Sequence, residues 1–331
     1  MRRVTLALVT IWVLGLTHDR AVAQPEKPLA GRFPVSSSDD AWSKLPPPEN
    51  PPFPAWAKVL VSPLPKTTAR MLELDYLHRA ENPLGTVLAA KIRYAVAETL
   101  GSKCGTATAA ADLLRVGLSA SDVAALAKPA GLPPAEAFAL AFARKLTKEG
   151  HAISDDEFAE LLRLYGPEKV TALVHTVAYA NFHNRVMLGF GVTHPPDPPL
   201  GVKFDAEKLA KVVAPARPPW DDLRAATGAG PAARVEWSQF GFDDLALSLD
   251  KQKARKLRLP LPDLGRFKDL PPREKAQAER VVWTTISTGY QPGMTRAWFA
   301  CLNEFYAESK VDRVFTNSMF WVVTRTNDCF Y

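Results

Sequence analysis

The sequence predicts an all-α protein, and three observations predict it. Apolar residues recur at i, i+3, i+4 and i+7 through most of 67–193 and again through 236–331, the period of a helix with one buried face. No stretch of any length alternates polar and apolar residues as a half-buried strand does. Helix start and stop signals, such as SDDE at 154–157 and the pair Gly166-Pro167, punctuate the pattern at helical lengths. The connections are short, so the architecture expected is a helical bundle.

The chain opens with MRR, the apolar core VTLALVTIWVLGLT and then AVAQ. A basic start, a short apolar core and an A-x-A site in that order read as a signal peptide over 1–23, cut after Ala23. The core is too short to span a bilayer, and no later stretch is long and apolar enough to do so. The product is therefore expected to be exported, periplasmic or secreted, with no membrane span. Residues 24–66, with KLPPPENPPFPAW, read as a proline-rich spacer, and 194–235, with HPPDPPL and APARPPW, as a proline-rich linker. Hydrophobic residues make up 47% of the 331 and charged residues 23%, which allows real cores, and the formal net charge is +6. The densest basic run, KQKARKLR at 251–258, reads as a solvated helix face, and no nucleic-acid partner is expected of an exported protein.

In the first helical block, 67–193, Leu88, Ile92, Ala95, Val96 and Thr99 share one stripe. Ala107, Ala110, Ala111 and Leu114 form the next, closed by Gly117 as the residue after the cap. After Pro133-Pro134 a helix turns Phe138, Ala141 and Phe142 inward. SDDE caps a helix carrying Phe158, Leu161, Leu162 and Tyr165. Gly166-Pro167 stops it and starts another through Val170, Leu173, Val174 and Val177.

The second block, 236–331, looks related to the first. When TVLAAKIRYAVAETLGSKCG is laid over RVFTNSMFWVVTRTNDCFY without gaps, Val87 meets Val314, Leu88 meets Phe315 and Ile92 meets Met319. Tyr94 then meets Trp321, Val96 meets Val323, Thr99 meets Thr326 and Ser102 meets Cys329. The same apolar spacing before the same turn reads as a duplicated unit.

The run AAADLLRVGLSASDVAAL…LPPAEAFALAFARKLT…ISDDEFAELLRLYGPEKVTALVHTVAYANFHNRVMLGFGV resembles the carboxymuconolactone decarboxylase and alkyl-hydroperoxidase-D (AhpD)-like superfamily. The resemblance covers 86–192 well and 280–331 more faintly. It implies an AhpD-like helical bundle, with a complete first copy and a second that breaks off, in trimers or hexamers, and it implies no cofactor or metal. Peroxidatic members carry C-x-x-C-x-x-x-H at a helix start, where the cysteines share a face and the helix end favours thiolate. Carried over, the two cysteine positions and the histidine position of the first block fall on Ser102, Gly105 and Ala109, so all three groups are missing. In the second block Cys329 takes the first cysteine position, and the sequence given stops inside the motif. The relay-glutamate positions are Ala90 and Asn317.

The resemblance implies a peroxiredoxin-type thiol peroxidase or disulfide oxidoreductase in a full-length form, served by a thiol or disulfide reductant, with this chain inactive or a fragment. The rival reading is a non-catalytic helical scaffold or binding module. Lactone decarboxylation ranks last, because Ala109 stands where its histidine belongs. Cys329 is the leading redox candidate. Cys104, beside Lys103, is either a displaced nucleophile or a structural thiol, with the structural role preferred. Cys301, on a stripe with Trp298, Leu302 and Phe305, reads as core, and a Cys104–Cys301 disulfide is conceivable. Three cysteines are an odd set for an oxidising compartment. His175 and His183 nearly share a face but lack a third ligand at metal spacing. Trp220, Trp237, Trp283, Trp298 and Trp321 read as core or interface rather than a sugar-stacking surface. The second block is expected to leave Met319, Trp321 and Val323 uncovered.

Overall fold

Prolines and capping hydroxyls set the helix starts. The structure, a computed structural model, describes residues 54–127, 131–192, 247 and 257–326. The signal peptide expected at 1–23, the linker expected at 194–235, Cys329, Trp220, Trp237 and most of the basic run at 251–258 lie outside them. Among the described residues every regular element is helical, as the sequence predicts. The first block comprises α1 (Ala55–Leu60), α2 (Pro65–Ala80), α3 (Thr86–Thr99), α4 (Lys103–Arg115), α5 (Ala120–Ala125), α6 (Pro134–Glu149) and α7 (Asp155–Phe190). The second comprises α8 (Pro272–Ala278), α9 (Val282–Tyr290), α10 (Pro292–Ser309) and α11 (Arg313–Thr326).

Pro65, Pro134 and Pro292 sit in the first turns of α2, α6 and α10, where a missing N–H costs nothing. The SDDE signal is a full capping box, with Ser154 Oγ accepting from Glu157 N at 3.1 Å and Glu157 accepting from Ser154 N at 2.7 Å. α7 bends at Gly166, whose φ of 70° and ψ of 166° are not helical, and Pro167 restarts the helix. α4 ends at Gly117 (φ 95°), with Leu118 N donating to Leu113 O and Gly117 N to Leu114 O, both at 3.1 Å. That pair of bonds needs a left-handed residue, which glycine adopts without a Cβ penalty.

α3 is the central helix, packed on by α4, α6 and α7. Its Ile92, Ala95 and Val96 are fully buried with Leu113, Leu140, Leu161, Val170, Leu173 and Val177. A second cluster joins α1 and α2 to the second block through Trp56, Leu72, Cys104, Met187 and Cys301. α10 lies along α2, and α9 meets α7, where Gln291 Nε2 donates to Glu168 O at 2.8 Å. The Glu308 carboxylate, buried at the far end of α10, accepts from Lys66 N, Thr67 N and Thr67 Oγ1, each at 2.7 Å. An acid at a helix start satisfies orphan donors and the positive dipole end together.

Three details differ from the sequence reading. The spacer gives way before residue 66, because Ala55–Leu60 is helical and Trp56 is fully buried. A proline before a helix does not prevent one, and the indole supplies the apolar area that holds it. The buried face of α4 is Cys104, Gly105, Thr108, Ala109 and Leu113, whereas Leu114 is exposed. An alanine-rich helix offers little periodic contrast, so its rotation is set by its neighbours and not by its own pattern. Ala141 likewise faces outward, and α6 buries Ala139, Leu140, Phe142 and Ala143.

The helices α1, α2 and α3 start at Ala55, Pro65 and Thr86, and α9, α10 and α11 start at Val282, Pro292 and Arg313, at one constant spacing. Leu64 before α2 has φ −138° and ψ 62°, and Gln291 before α10 has φ −136° and ψ 62°. Thr68 Oγ1 donates to Leu64 O and Thr295 Oγ1 to Gln291 O, both at 2.7 Å. Trp56 and Trp283 hold the same place in α1 and α9.

Candidate functional site

Ser102, Cys104, Gly105 and Ala109, four of the positions singled out by the sequence, lie at the start and along the buried face of α4. α3 closes at Gly101, with Ser102 N donating back to Ala97 O at 2.9 Å. Ser102 then caps α4, its Oγ accepting from Gly105 N at 3.3 Å. A serine cap of this kind contributes about 1 kcal/mol. Gly105 lies against α7, where a Cβ on it would lie 1.8 Å from Asn184 Oδ1. Asn184 is buried and its Nδ2 donates to Ala180 O at 2.7 Å, so it occupies the space a side chain at 105 would need. Ala109, at the histidine position, is a buried methyl, and so is Ala90 at the relay position. The three motif positions therefore serve as a helix cap, a packing contact and core. Asn317 lies exposed on α11.

Cys104 is buried in the first turn of α4, in the cluster with Trp56, Met187 and Cys301. The two cysteines are not joined in a disulfide. Burial pushes the Cys301 thiol up to about 12, outweighing the pull of Arg70, so it stays protonated at physiological pH. It is core, as its spacing predicts.

Beside this corner runs a buried polar network that the sequence reading did not single out. Asp75 accepts from Tyr179 Oη at 2.7 Å and Arg79 Nη1 at 3.0 Å. Arg79 also grips Asp112 with two bonds, Nε at 2.9 Å and Nη2 at 2.8 Å, and Arg93 Nη1 adds a third at 2.9 Å. The fork matches the carboxylate, the geometry in which buried ion pairs hold best. These residues tie α2, α3, α4 and α7 into one unit. A line of rings continues from it: His78 stacks on Tyr179 at 4.2 Å, Tyr179 on His183 at 5.5 Å, and His183 meets the edge of Trp56 at 5.3 Å.

Burial alone would raise Asp75, but Arg79, His183, Arg93 and the Tyr179 hydroxyl pull it down to about 2. Burial lowers His78 to about 3 and His183 and His175 to about 4, so all three are neutral near pH 7. Tyr179 is pushed well above its ordinary value by burial and the Asp75 charge. His78 Nδ1, His183 Nε2 and Trp56 Nε1 have no hydrogen-bond partner. No group of three His, Cys, Asp or Glu among the described residues is arranged to hold a metal ion, and His175 and His183 are not joined by a third ligand. Asp75 accepts from Tyr179 and Arg79, and its charge raises His78 and His183 against the stronger effect of burial. The arrangement fixes helices.

No family model, curated protein or solved structure matches this chain. The signal for the network was present in Asp75-x-x-His78-Arg79 and in Tyr179-x-x-x-His183, polar residues at helical spacing on otherwise apolar faces.

Proposed function

We propose that this chain is a non-catalytic helical scaffold built on an AhpD-like plan, with α9–α11 repeating the first three helices of the same unit. The observation that carries it is the corner at Ser102, Gly105 and Ala109, where the cap, the contact with Asn184 and the buried methyl leave no place for a reactive pair. The copy reading is supported by the constant spacing of α1–α3 and α9–α11, the matched torsions at Leu64 and Gln291, and the paired Thr68 and Thr295 bonds. Export after cleavage at Ala23 and trimeric or hexameric assembly belong to the same proposal and rest on the sequence alone.

The rival, a thiol peroxidase, would centre on Cys329. A hydroperoxide assay with a dithiol reductant separates the two. No turnover is expected of this chain. Turnover that survives Cys104→Ser and vanishes with Cys329→Ser restores the peroxidase reading, and turnover lost with Cys104→Ser makes that buried thiol the nucleophile. Either result ends the scaffold proposal.

A further inference from the structure

A half-open cleft of about 210 Å³ lies between α8 and α10. Its floor is one stripe of α10, where Arg296, Phe299 and Asn303 follow one another at helical spacing. Arg273 and Glu274 of α8 stand along the wall, and Thr288 of α9 closes one end. The wall is tied down, because Thr284 Oγ1 and Thr285 Oγ1 of α9 both donate to Ala278 O at the end of α8, at 3.1 and 2.9 Å. Floor and wall meet where Arg296 Nε donates to Glu274 Oε2 at 3.2 Å.

The polar groups of the cleft are largely unspent. Arg273 makes no ion pair among the described residues, and the bond to Glu274 uses only Nε of Arg296, so both Nη nitrogens are left over. The Thr288 hydroxyl and the Asn303 amide bond to no other group among the described residues. Two guanidinium groups against one carboxylate leave the cleft positive. Between them lies the Phe299 ring, backed by Trp283 at 5.8 Å and 27°.

The first block shows that helix packing alone does not call for these side chains. At the constant spacing of α1–α3 and α9–α11, Val61, Ala69 and Leu72 hold the places of Thr288, Arg296 and Phe299. All three are fully buried, in the cluster with Met187. The second block therefore carries a hydroxyl, a guanidinium and a ring where the first carries aliphatic core. This comparison rests on the copy reading proposed above, whereas the cleft does not.

We infer that the cleft binds a small organic anion with a flat apolar body, its charge held by Arg296 and Arg273 and its ring laid against Phe299. A guanidinium edge matches carboxylate and phosphate oxygens alike, two bonds at a time. A neutral ring would leave both arginines unanswered, and a bare anion would leave Phe299 idle. The volume falls below the roughly 300–1,000 Å³ of sites for drug-sized molecules, so one ring and one charged head suit it. Thr288 and Asn303 supply the neutral contacts that orient the head.

The experiment is calorimetric titration of the full chain with benzoate and with phenyl phosphate, with benzamide and inorganic phosphate as controls. One saturable site per chain is expected for at least one of the two aryl anions, weakening as salt is raised. Arg273→Gln and Arg296→Gln should each weaken it about tenfold or more, since each removes a charge-assisted hydrogen bond. Phe299→Leu, the residue of the first block, should weaken it about threefold or more. Lys148→Gln, on the exposed face of α6, should leave it unchanged. Both arginines are exposed, so their variants should keep the parent's circular dichroism and decide the matter even if Phe299→Leu does not fold. Tighter binding of benzoate makes the ligand an aryl carboxylate, and tighter binding of phenyl phosphate makes it an aryl phosphate. Four results overturn the inference. The first is no saturable binding of either aryl anion, and the second is benzamide binding as tightly as the better of them. The third is inorganic phosphate binding as tightly as phenyl phosphate, which reduces the cleft to a patch for any anion. The fourth is an affinity untouched by both arginine variants, or lowered equally by Lys148→Gln. None of these reads hydroperoxide turnover, so the cleft and the scaffold reading stand or fall separately.

Discussion

A methyl group on Gly105 would sit 1.8 Å from Asn184 Oδ1 and 2.9 Å from its Cγ, closer than real Cβ atoms come. This contact holds α4 against α7 at the start of α4. Gly105→Ala should therefore destabilise the fold by about 1–3 kcal/mol, despite alanine's better helix propensity. Asn184→Ala should remove most of that cost, so that the pair is non-additive in urea denaturation. Additive losses would mean that Asn184 is not what forbids the side chain. The sequence reading singled out the glycine, as the place where the resemblance would put a cysteine. Its partner was not singled out, because Asn184 lies some eighty residues on and only the packing of two helices brings them together.

At the scale of the element, starts and stops were legible, and faces were less so. Ser154 with Glu157, Gly117 and Gly166-Pro167 act through bonds within a few residues, and each does in the structure what its local chemistry requires. α4 shows the limit: in an alanine-rich stretch the sequence reading put Ala107, Ala110, Ala111 and Leu114 on the inner face. The cap at Ser102 and the approach of Asn184 turn Leu113 inward instead. Leu113→Ala should cost about 2–5 kcal/mol and Leu114→Ala no more than about 0.5 kcal/mol, a difference that thermal melts of the two variants measure directly. α1 was missed for the opposite reason. Its six residues follow a run of prolines, and only the buried Trp56 makes the helix worth forming.

For the whole molecule the decisive quantity is how many protons folding excludes. His78, His183 and His175 are held at about 3, 4 and 4 in the folded chain, against about 6.5 when unfolded. Below pH 6.5 the unfolded chain binds protons that the folded chain refuses, so stability present above that pH is lost progressively as pH falls toward 4. Asp75, lowered from 3.8 to about 2, adds a further loss below pH 3.8. The urea midpoint should therefore fall steeply between pH 6.5 and 4, and His78→Gln with His183→Gln should flatten that slope while leaving the loss below about pH 3 that Asp75 contributes. An unchanged slope in the double variant would place the titrating groups elsewhere.

Glu308 has a wider effect than its three hydrogen bonds suggest. Because it closes the start of α2 from the far end of α10, while Cys301 and Ala297 of α10 lie in cores shared with α1, α2 and α7, the halves of the polypeptide staple one another. Severing the backbone once between residues 192 and 257 should leave two pieces on a denaturing gel but one particle on a native sizing column. Glu308→Ala should let them drift apart at lower urea, making a single carboxylate the latch between two ends of a cut chain.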